Sequence, residues 1–216
     1  MTTPRFIVLE GLDGSGKSTQ ISLLSQKLTA LGLPHTTTRE PSTGPIGALA
    51  REAVHSSPLE NETLALLFAA DRYQHVTDVV NPALNQGKYV LCDRFYYSNL
   101  AYQADNPEAL ARVLTYNQAV MALRRPDITF FLDVDPEECM RRILERKGKT
   151  AIYENLTRLR QDRERFLNAF NRLDDNIVIL DCKRDDENVV FGRLWQHLDM
   201  GLGDTPQSIN PGKSRP

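Results

Sequence analysis

The segment that most constrains the fold is a glycine-rich stretch between a short apolar run and an amphipathic segment. Residues 11–18 read Gly-Leu-Asp-Gly-Ser-Gly-Lys-Ser and fit the pattern G-x-x-x-x-G-K-[ST]. The apolar run at 6–10 predicts a strand buried on both faces. After the loop, apolar residues recur at helical spacing at Ile21, Leu24, Leu28 and Leu31. They predict a helix that Gly32 ends, so the chain opens as a strand, a tight loop and a helix, the start of a βαβ unit.

The rest of the chain continues this alternation of apolar runs and helical periodicity. Further strands are predicted at 36–38, 89–93, 128–134 and 176–180. Helices are predicted at about 46–56, 60–80, 97–104, 107–123, 136–146, 155–172 and 185–198. Such alternation predicts an α/β three-layer sandwich, in which helices flank a parallel sheet through right-handed crossovers. We expect one domain over 1–200 and a disordered tail over 201–216, because the tail is rich in Gly, Pro, Ser and Asn.

The composition limits the partners that the chain can have. Lys and Arg number 26 against 28 Asp and Glu, so the formal charge of −2 gives no indication of a nucleic-acid or membrane partner. No apolar run approaches the roughly 18 residues that a membrane span needs. Cys92, Cys139 and Cys182 form an odd set without metal-ligand spacing, which predicts buried free thiols. We therefore expect a cytoplasmic protein whose phosphate chemistry, if any, depends on a local site.

The glycine-rich loop has the chemistry of a phosphate site. Its glycines allow consecutive backbone N–H groups to point at phosphate oxygens, and the helix that follows adds the positive end of its dipole. Lys17 can reach the β- and γ-phosphates, and the Ser18 hydroxyl can ligate Mg²⁺. The motif therefore predicts a P-loop NTPase fold that binds a nucleoside triphosphate. The chain contains no Asn-Lys-x-Asp motif for reading guanine, which argues against a GTPase.

Two predicted strands end in a carboxylate that could orient the metal, Asp93 and Asp133. We favour Asp93 as the partner of Ser18, because Arg94 follows it directly and places a carboxylate and a guanidinium together above the sheet.

A second set of cations suggests that the acceptor of the phosphoryl group is itself phosphorylated. Arg39 and Arg94 follow predicted strands, and Arg72 lies on a predicted helix four residues after Phe68. Guanidinium groups bind monophosphates in a bidentate manner, and the ring of Phe68 could stack on a base. The alternative interpretation is that these are surface arginines and a core phenylalanine.

The chain resembles the thymidylate kinase family in several segments that occur in order over residues 5 to 200. They are 10–19 (EGLDGSGKST), 38–41 (TREP), 66–72 (LLFAADR), 93–98 (DRFYYS), 101–103 (AYQ) and 126–133 (PDITFFLD). The phosphate loop is common to a large superfamily, whereas the other segments together are more specific. The resemblance implies transfer of the γ-phosphoryl group of ATP to dTMP, with Mg²⁺ as the cofactor.

The resemblance also implies roles for individual residues. ATP would be bound by Gly11, Leu12, Asp13, Gly14, Ser15, Gly16, Lys17, Ser18, Thr19 and Arg142. The residues implied for dTMP are Asp13, Arg39, Phe68, Arg72, Arg94, Ser98, Asn99, Tyr102 and Gln103. Among them Asp13 would bind the 3′-hydroxyl, the three arginines the phosphate and Phe68 the face of thymine. Asn99 or Gln103 would read the edge of the pyrimidine, and Tyr102 would disfavour a 2′-hydroxyl. The family further implies a homodimer packed through helices near 64–80 and 110–123.

A short mobile lid is expected at about 145–153, where a glycine lies among the cations of 146–149. The phosphate loop has no basic residue at Gly14 or Ser15, which resembles family members that carry an arginine in the lid. The resemblance thus implies four catalytic residues, Lys17, Asp93, Arg94 and Arg146. Lys147 or Lys149 is the alternative to Arg146. Arg141 is the alternative to Arg142 at the adenine.

Two other functions stay open at this stage. One is a kinase for a different acceptor, such as dUMP, UMP, AMP or a deoxynucleoside. The three arginines favour a phosphorylated acceptor, and Tyr102 favours a 2′-deoxy sugar. The other is a regulatory nucleotide-binding module, which would hydrolyse ATP slowly without any acceptor.

Overall fold

The computed structural model describes residues 5–55, 59–147, 152–183 and 185–199. The strands in these residues are β1 (Phe6–Gly11), β2 (His35–Arg39), β3 (Tyr89–Asp93), β4 (Ile128–Asp133) and β5 (Ile177–Asp181). The helices are α1 (Lys17–Ala30), α2 (Pro45–His55), α3 (Asn61–His75), α4 (Asn81–Asn85), α5 (Tyr96–Tyr102), α6 (Pro107–Leu123), α7 (Pro136–Lys147), α8 (Ile152–Phe170) and α9 (Glu187–Asp199). A π-helical turn, Val76–Val80, joins α3 to α4.

The strands form one parallel sheet in the order β2-β3-β1-β4-β5. β1 is central and is buried along its whole length, as its continuous apolar run predicts. Leu9 lies opposite Asp93 on one side and opposite Phe130 on the other, so β1, β3 and β4 end at the same edge of the sheet. Arg39 at the end of β2 lies opposite Asp93. The carboxyl edge of the sheet, where ligands of such folds bind, therefore gathers the residues that the motifs single out.

The helices cover the sheet and close a single core over the described residues. α1 packs against β2, β3 and α9, while α5 packs against β1, α3, α6 and α8. An aromatic cluster fills the space beneath α5 and α8 and comprises Phe6, Phe95, Tyr96, Tyr97, Phe131, Phe166 and Phe170. This architecture confirms the predicted α/β fold with helices flanking a parallel sheet. In the described residues no helix has the length and apolar character to cross a bilayer.

A few predicted boundaries differ from the structure. Leu31 is not part of the buried stripe of α1, because the helix ends at Ala30 and the Leu31 side chain is 48% exposed. The helix predicted over 60–80 ends its α-helical part at His75 and continues through the π-helical turn. The three cysteines, all in the described residues, are buried and free, as predicted.

The lid predicted at about 145–153 lies partly outside the described residues. Residues 145–147 belong to α7, and 152–153 belong to α8. The residues between them, including Gly148 and Lys149, lie outside the described residues, as does the predicted tail at 201–216. The lid and the tail therefore stay predictions.

Candidate active site

The phosphate loop connects β1 to α1 and depends on glycine at Gly14. Gly14 has a φ of +83°, a left-handed conformation that side chains other than glycine rarely adopt. A Cβ atom at this position would lie 2.6 Å from the backbone carbonyl oxygen of Cys139 on α7. The loop is thus held directly against α7, and the absence of a side chain at Gly14 permits that contact.

Lys17 lies on the inner side of this loop. Its Nζ donates to the carbonyl oxygens of Gly11 at 3.0 Å and Leu12 at 2.9 Å. Burial, with the charge of Arg94 added, lowers the pKa of Lys17 to about 8 against the opposing effect of Asp93 and other carboxylates. A phosphate at the loop would favour the charged form of Lys17, so phosphate and proton are expected to bind together.

Ser18 and Asp93, the residues predicted to hold the metal, are in contact. The Ser18 hydroxyl donates to Asp93 Oδ2 at 2.9 Å. Asp93 Oδ1 is buried and has no hydrogen-bond partner among the described residues. A hydroxyl and one carboxylate suit Mg²⁺, because this ion usually takes its other ligands from water and from phosphates. Asp133, the alternative, is engaged by Arg163 through both of its oxygens, at 2.5 and 2.6 Å.

Arg94 lies next to Asp93 and is held by several side chains. Its φ is +70°, in the left-handed region that residues other than glycine seldom occupy. Nη1 donates to Ser98 Oγ at 3.0 Å and to Tyr102 Oη at 3.2 Å, and Nη2 forms an ion pair with Asp13. Burial disfavours the charge, but Tyr102 and Asp13 outweigh it, and the pKa of Arg94 is raised. The guanidinium is therefore a fixed cation.

A cavity of about 720 Å³ opens at this edge of the sheet. Its lining includes residues 13–20 of the phosphate loop and α1, together with Asp93. Arginines from several elements also line it, namely Arg39, Arg51, Arg94, Arg142 and Arg146. Carboxylates line the same cavity, namely Asp13, Glu40, Asp93, Asp185, Asp186 and Glu187, so it offers cations to phosphate groups without a formal excess of positive charge.

Arg51 was not singled out from the sequence. It lies on α2, and its Nη1 donates to the carbonyl oxygen of Pro41 at 3.0 Å and to that of Ser42. These bonds hold the loop that follows Arg39. The signal was available, because α2 was predicted directly after that loop and an arginine lies on it.

Arg72 is separated from the two arginines with which it was grouped. Its side chain is 2% exposed and does not line the cavity. Nε donates to Glu40 Oε2 at 2.6 Å, and Nη1 donates to Asn117 Oδ1 at 2.6 Å and to Asn99 Oδ1 at 3.3 Å. Asn99 in turn donates to Gln103 Oε1 at 3.2 Å. The structure therefore groups Arg72 with the residues implied for the pyrimidine edge.

Two aromatic residues implied for the acceptor lie near these groups. Phe68, one turn before Arg72, is half-buried and is not among the side chains that pack in the described core. Tyr102 packs edge-on against Phe166, with 5.6 Å between ring centroids, and the Arg94 guanidinium lies 5.2 Å from its ring centroid. Tyr102 thus lies beside the Arg94 guanidinium at the margin of the core, and Phe68 is left partly accessible on α3.

Of the two arginines predicted as alternatives for contacting the adenine, Arg142 lies at the cavity and Arg141 does not line it. Arg142 lines the cavity, bonds Glu138 at 2.7 Å and donates to the carbonyl oxygen of Gly14 at 3.4 Å. Arg141 instead bonds Glu138 and Glu145 on its own helix. The geometry therefore favours Arg142 at the nucleotide. Arg146 is exposed and lines the cavity.

Buried polar residues that had no predicted role hold these groups in place. Glu10 bonds the segment after Arg94, Glu40 bonds Arg72, and Asn117 bonds both Arg72 and Asn99. Glu10 carried a signal, since it belongs to the segment 10–19 that resembles the family and directly precedes the phosphate loop. Asn117 carried none, because it lies within an ordinary helical pattern.

The fold and the phosphate loop place the chain in the P-loop class of nucleotide-binding α/β proteins. Residues 9–191 match the family model of thymidylate kinase, and the chain belongs to that family.

Relatives over most of the chain carry the same name. A probable thymidylate kinase of Thermococcus kodakarensis is 37% identical over 208 residues, which cover 92% of this chain and 99% of the relative. A probable thymidylate kinase of Pyrobaculum aerophilum is 39% identical over 185 residues, with coverage of 85% and 91%. A thymidylate kinase of Bacillus velezensis is 34% identical over 196 residues, with coverage of 88% and 92%.

Proposed function

We propose that this chain transfers the γ-phosphoryl group of ATP to dTMP and releases dTDP and ADP. The observation that carries the proposal is that one cavity is lined both by the phosphate loop and by Arg39, Arg51 and Arg94. Two phosphate-bearing substrates can therefore meet in it. The family of the chain supports dTMP as the acceptor.

The donor half of the site is built on the loop and α1. Backbone N–H groups of the loop and Lys17 bind the ATP phosphates, because the loop glycines allow the backbone to approach them closely. Arg142 contacts the adenine from α7. Arg146 supplies positive charge where the γ-phosphoryl group is transferred.

The same half of the site would hold Mg²⁺ through Ser18 and Asp93. When bound, Mg²⁺ neutralises negative charge on the β- and γ-phosphates. The buried and unpartnered Oδ1 of Asp93 supports this role, because a buried carboxylate oxygen is costly without a partner.

The acceptor half is formed by arginines and by the residues around α5. Arg39, Arg51 and Arg94 bind the dTMP phosphate, and Asp13 accepts a hydrogen bond from the 3′-hydroxyl group. Phe68 stacks on thymine, while Asn99 or Gln103 contacts its edge with Arg72 behind them. Tyr102 occupies the space that a 2′-hydroxyl group would need. Ser98 acts on the phosphate through Arg94, to which its hydroxyl is bonded.

The transfer itself needs no general base. An oxygen of the dTMP phosphate is already ionised near neutral pH and can attack the γ-phosphorus directly. The task of the protein is to hold both phosphates in line and to neutralise their charge. Lys17, Arg94 and Arg146 are the cations placed to do so.

The experiment is to measure ADP release from ATP and Mg²⁺ with dTMP, dUMP, UMP, AMP or no acceptor. Rapid release with dTMP, poor release with UMP and none without an acceptor are expected. Lys17→Met should abolish release with every acceptor, which excludes a contaminating ATPase. Release that does not depend on the acceptor would contradict the proposal and favour a regulatory nucleotide-binding module.

We also propose that the chain forms a homodimer. Exposed apolar residues lie on adjacent helices: Leu49 on α2, Leu66 and Tyr73 on α3, and Leu123 on α6. α3 packs against both α2 and α6, so these side chains belong to neighbouring elements. Light scattering should give about twice 24.4 kDa, and Leu66→Glu should give the monomer mass. A monomeric wild-type protein at micromolar concentration would contradict the proposal.

The cytoplasm is the compartment that we propose. Cys92, Cys139 and Cys182 are free and buried, which suits a reducing environment. Imaging of a tagged full-length protein in its own cell tests this location.

A further inference from the structure

Glu10 is a buried carboxylate at the end of β1, immediately before the phosphate loop. Its side chain accepts hydrogen bonds at Oε1 from the backbone N–H groups of Phe95, at 2.8 Å, and Ser98, at 3.1 Å. At Oε2 it accepts a bond from Ser98 Oγ at 2.7 Å. The residue is 0% exposed. These donors all come from the segment that directly follows Arg94, so Glu10 clamps that segment to the central strand.

The bond to the Ser98 hydroxyl has a consequence for Arg94. A hydroxyl group carries one hydrogen, and Ser98 donates it to Glu10. Its lone pairs are therefore available to Arg94 Nη1, which donates to Ser98 Oγ at 3.0 Å. Glu10, Ser98 and Arg94 thus form a directed chain of hydrogen bonds from β1 to the cavity.

Arg94 needs such support, because its backbone conformation is unfavourable for a residue with a side chain. A φ of +70° persists in a non-glycine residue only when its surroundings fix it. The clamp on Phe95 and Ser98 fixes the backbone after Arg94, and the Ser98 hydroxyl fixes one edge of its guanidinium.

We propose that Glu10 is a positioning residue that aligns Arg94 with the phosphate of the acceptor through Ser98. The inference rests on the proposed function, in which Arg94 binds the dTMP phosphate. Glu10 itself contacts no substrate. Its side-chain hydrogen bonds go to Phe95 and Ser98, so the chain of bonds can be tested separately from the phosphate loop.

Burial raises the pKa of Glu10, while the charge of Arg94 and the bonds from Ser98 and Phe95 act in the opposite direction. Glu10→Gln keeps the size of the side chain and can still accept the backbone N–H bonds. Its amide nitrogen, however, would donate to Ser98 Oγ, which leaves the hydroxyl hydrogen without its acceptor. The variant therefore disturbs the directed chain with little change in volume.

Asp175 provides a matched control. It is also a buried carboxylate that anchors α5, but it accepts from the hydroxyls of Tyr96 at 2.6 Å and Tyr97 at 2.8 Å. It precedes β5 and so lies at the amino edge of the sheet, opposite the cavity. Asp175→Asn should lower stability without changing the kinetics of the acceptor.

The experiment measures kcat and the KM values of dTMP and ATP for wild type, Glu10→Gln, Ser98→Ala, Ser98→Thr and Asp175→Asn, with the Tm of each. Glu10→Gln and Ser98→Ala should raise the KM of dTMP at least about tenfold, about 1.4 kcal/mol. The KM of ATP should change less than about threefold. Ser98→Thr, which keeps the hydroxyl, should restore the wild-type KM of dTMP, and Asp175→Asn should retain it. The double variant Glu10→Gln/Ser98→Ala should be no worse than the more affected single variant, because both act through one chain of bonds.

Some results would overturn the inference. An unchanged KM of dTMP in Glu10→Gln or Ser98→Ala would do so, as would equal increases in both KM values, which would indicate general damage to the phosphate loop. If Glu10→Gln does not fold, Glu10→Asp, which keeps the charge but shortens the side chain, takes its place with the same expected rise in the KM of dTMP, and the comparison of Ser98→Ala with Ser98→Thr tests the bond from Ser98 to Arg94. The wild-type protein separates this inference from the proposed function. If wild type turns over dTMP and the variants match it, only the role of Glu10 fails; if wild type ignores dTMP, the proposed function fails.

Discussion

Replacing Arg72 should harm the fold far more than replacing Arg94, although both arginines were assigned from the sequence to the same phosphate. Arg72 is 2% exposed and bonds Glu40, which is itself buried. In Arg72→Ala, the Glu40 carboxylate would lose its guanidinium partner. Among the described residues, it would keep only the contact with the His75 side chain as an ion-pair partner. Breaking a buried ion pair from one side costs about 3–5 kcal/mol. For a domain of this size, that corresponds to a fall in Tm of about 6–20 °C.

Arg94→Ala is the matched comparison. The Arg94 side chain is 18% exposed, and its partner Asp13 is 65% exposed, so water screens the pair. Its loss should lower Tm by about 4 °C or less. The loss of activity should be larger for Arg94→Ala than for Arg72→Ala, because Arg94 lines the cavity and Arg72 does not. Turnover of dTMP by Arg94→Ala should fall at least about a hundredfold, as expected when a charged group loses its partner.

Thermal unfolding followed by circular dichroism, with dTMP turnover below the transition, tests both statements. Arg72→Met combined with Glu40→Gln should be more stable than Arg72→Ala, because no unpaired buried charge remains. An Arg72→Ala variant with the Tm of wild type would refute the reasoning. It would mean that Glu40 and Arg72 are not a buried pair.

Other predictions concern the phosphate loop and the metal. Asp93→Asn should raise the Mg²⁺ concentration for half-maximal rate at least about tenfold, whereas Asp133→Asn should leave it unchanged; a metal titration of the rate decides between them. Gly14→Ala should weaken ATP binding at least about tenfold in calorimetry, since its φ and the nearby carbonyl oppose a side chain. ATP should bind more weakly as pH rises through about 8, because the free enzyme then loses the Lys17 proton; Lys17→Met should remove this dependence. Arg146→Ala should lower kcat at least about tenfold with little change in the KM of dTMP, and an unchanged kcat would transfer its role to another lid cation.

The sequence was most informative where local pattern alone decides the structure. Buried strands such as 89–93 are short apolar runs, and the helix at 107–123 begins with an Asn-Pro cap and shows clear periodicity. The loop with Lys17 and the pairing of Ser18 with Asp93 follow from motif chemistry and from the common edge of parallel strands. These features require no knowledge of distant contacts.

The environment of Arg72 could not be predicted in the same way. Its partners Glu40 and Asn117 lie 32 and 45 residues away in the chain, and only the packing of α3 against α6 and the end of β2 brings them together. An arginine on a helix has the same local pattern whether it faces a ligand or a buried carboxylate. The prediction that Leu31 belongs to the buried stripe of α1 was wrong for a related reason, because periodicity does not show where the last turn of a helix ends.

The central position of β1 affects how the two substrates are kept in register. β1 ends in Glu10 and Gly11, so the anchor of Arg94 and the first residue of the phosphate loop are neighbours on one strand. That strand is hydrogen-bonded on both sides, to β3 and to β4. A displacement of β1 would therefore move the phosphate loop and the anchor of Arg94 together. The relative position of the phosphate loop and the segment that carries Arg94 is thus determined by two adjacent residues of one strand that is fixed on both sides.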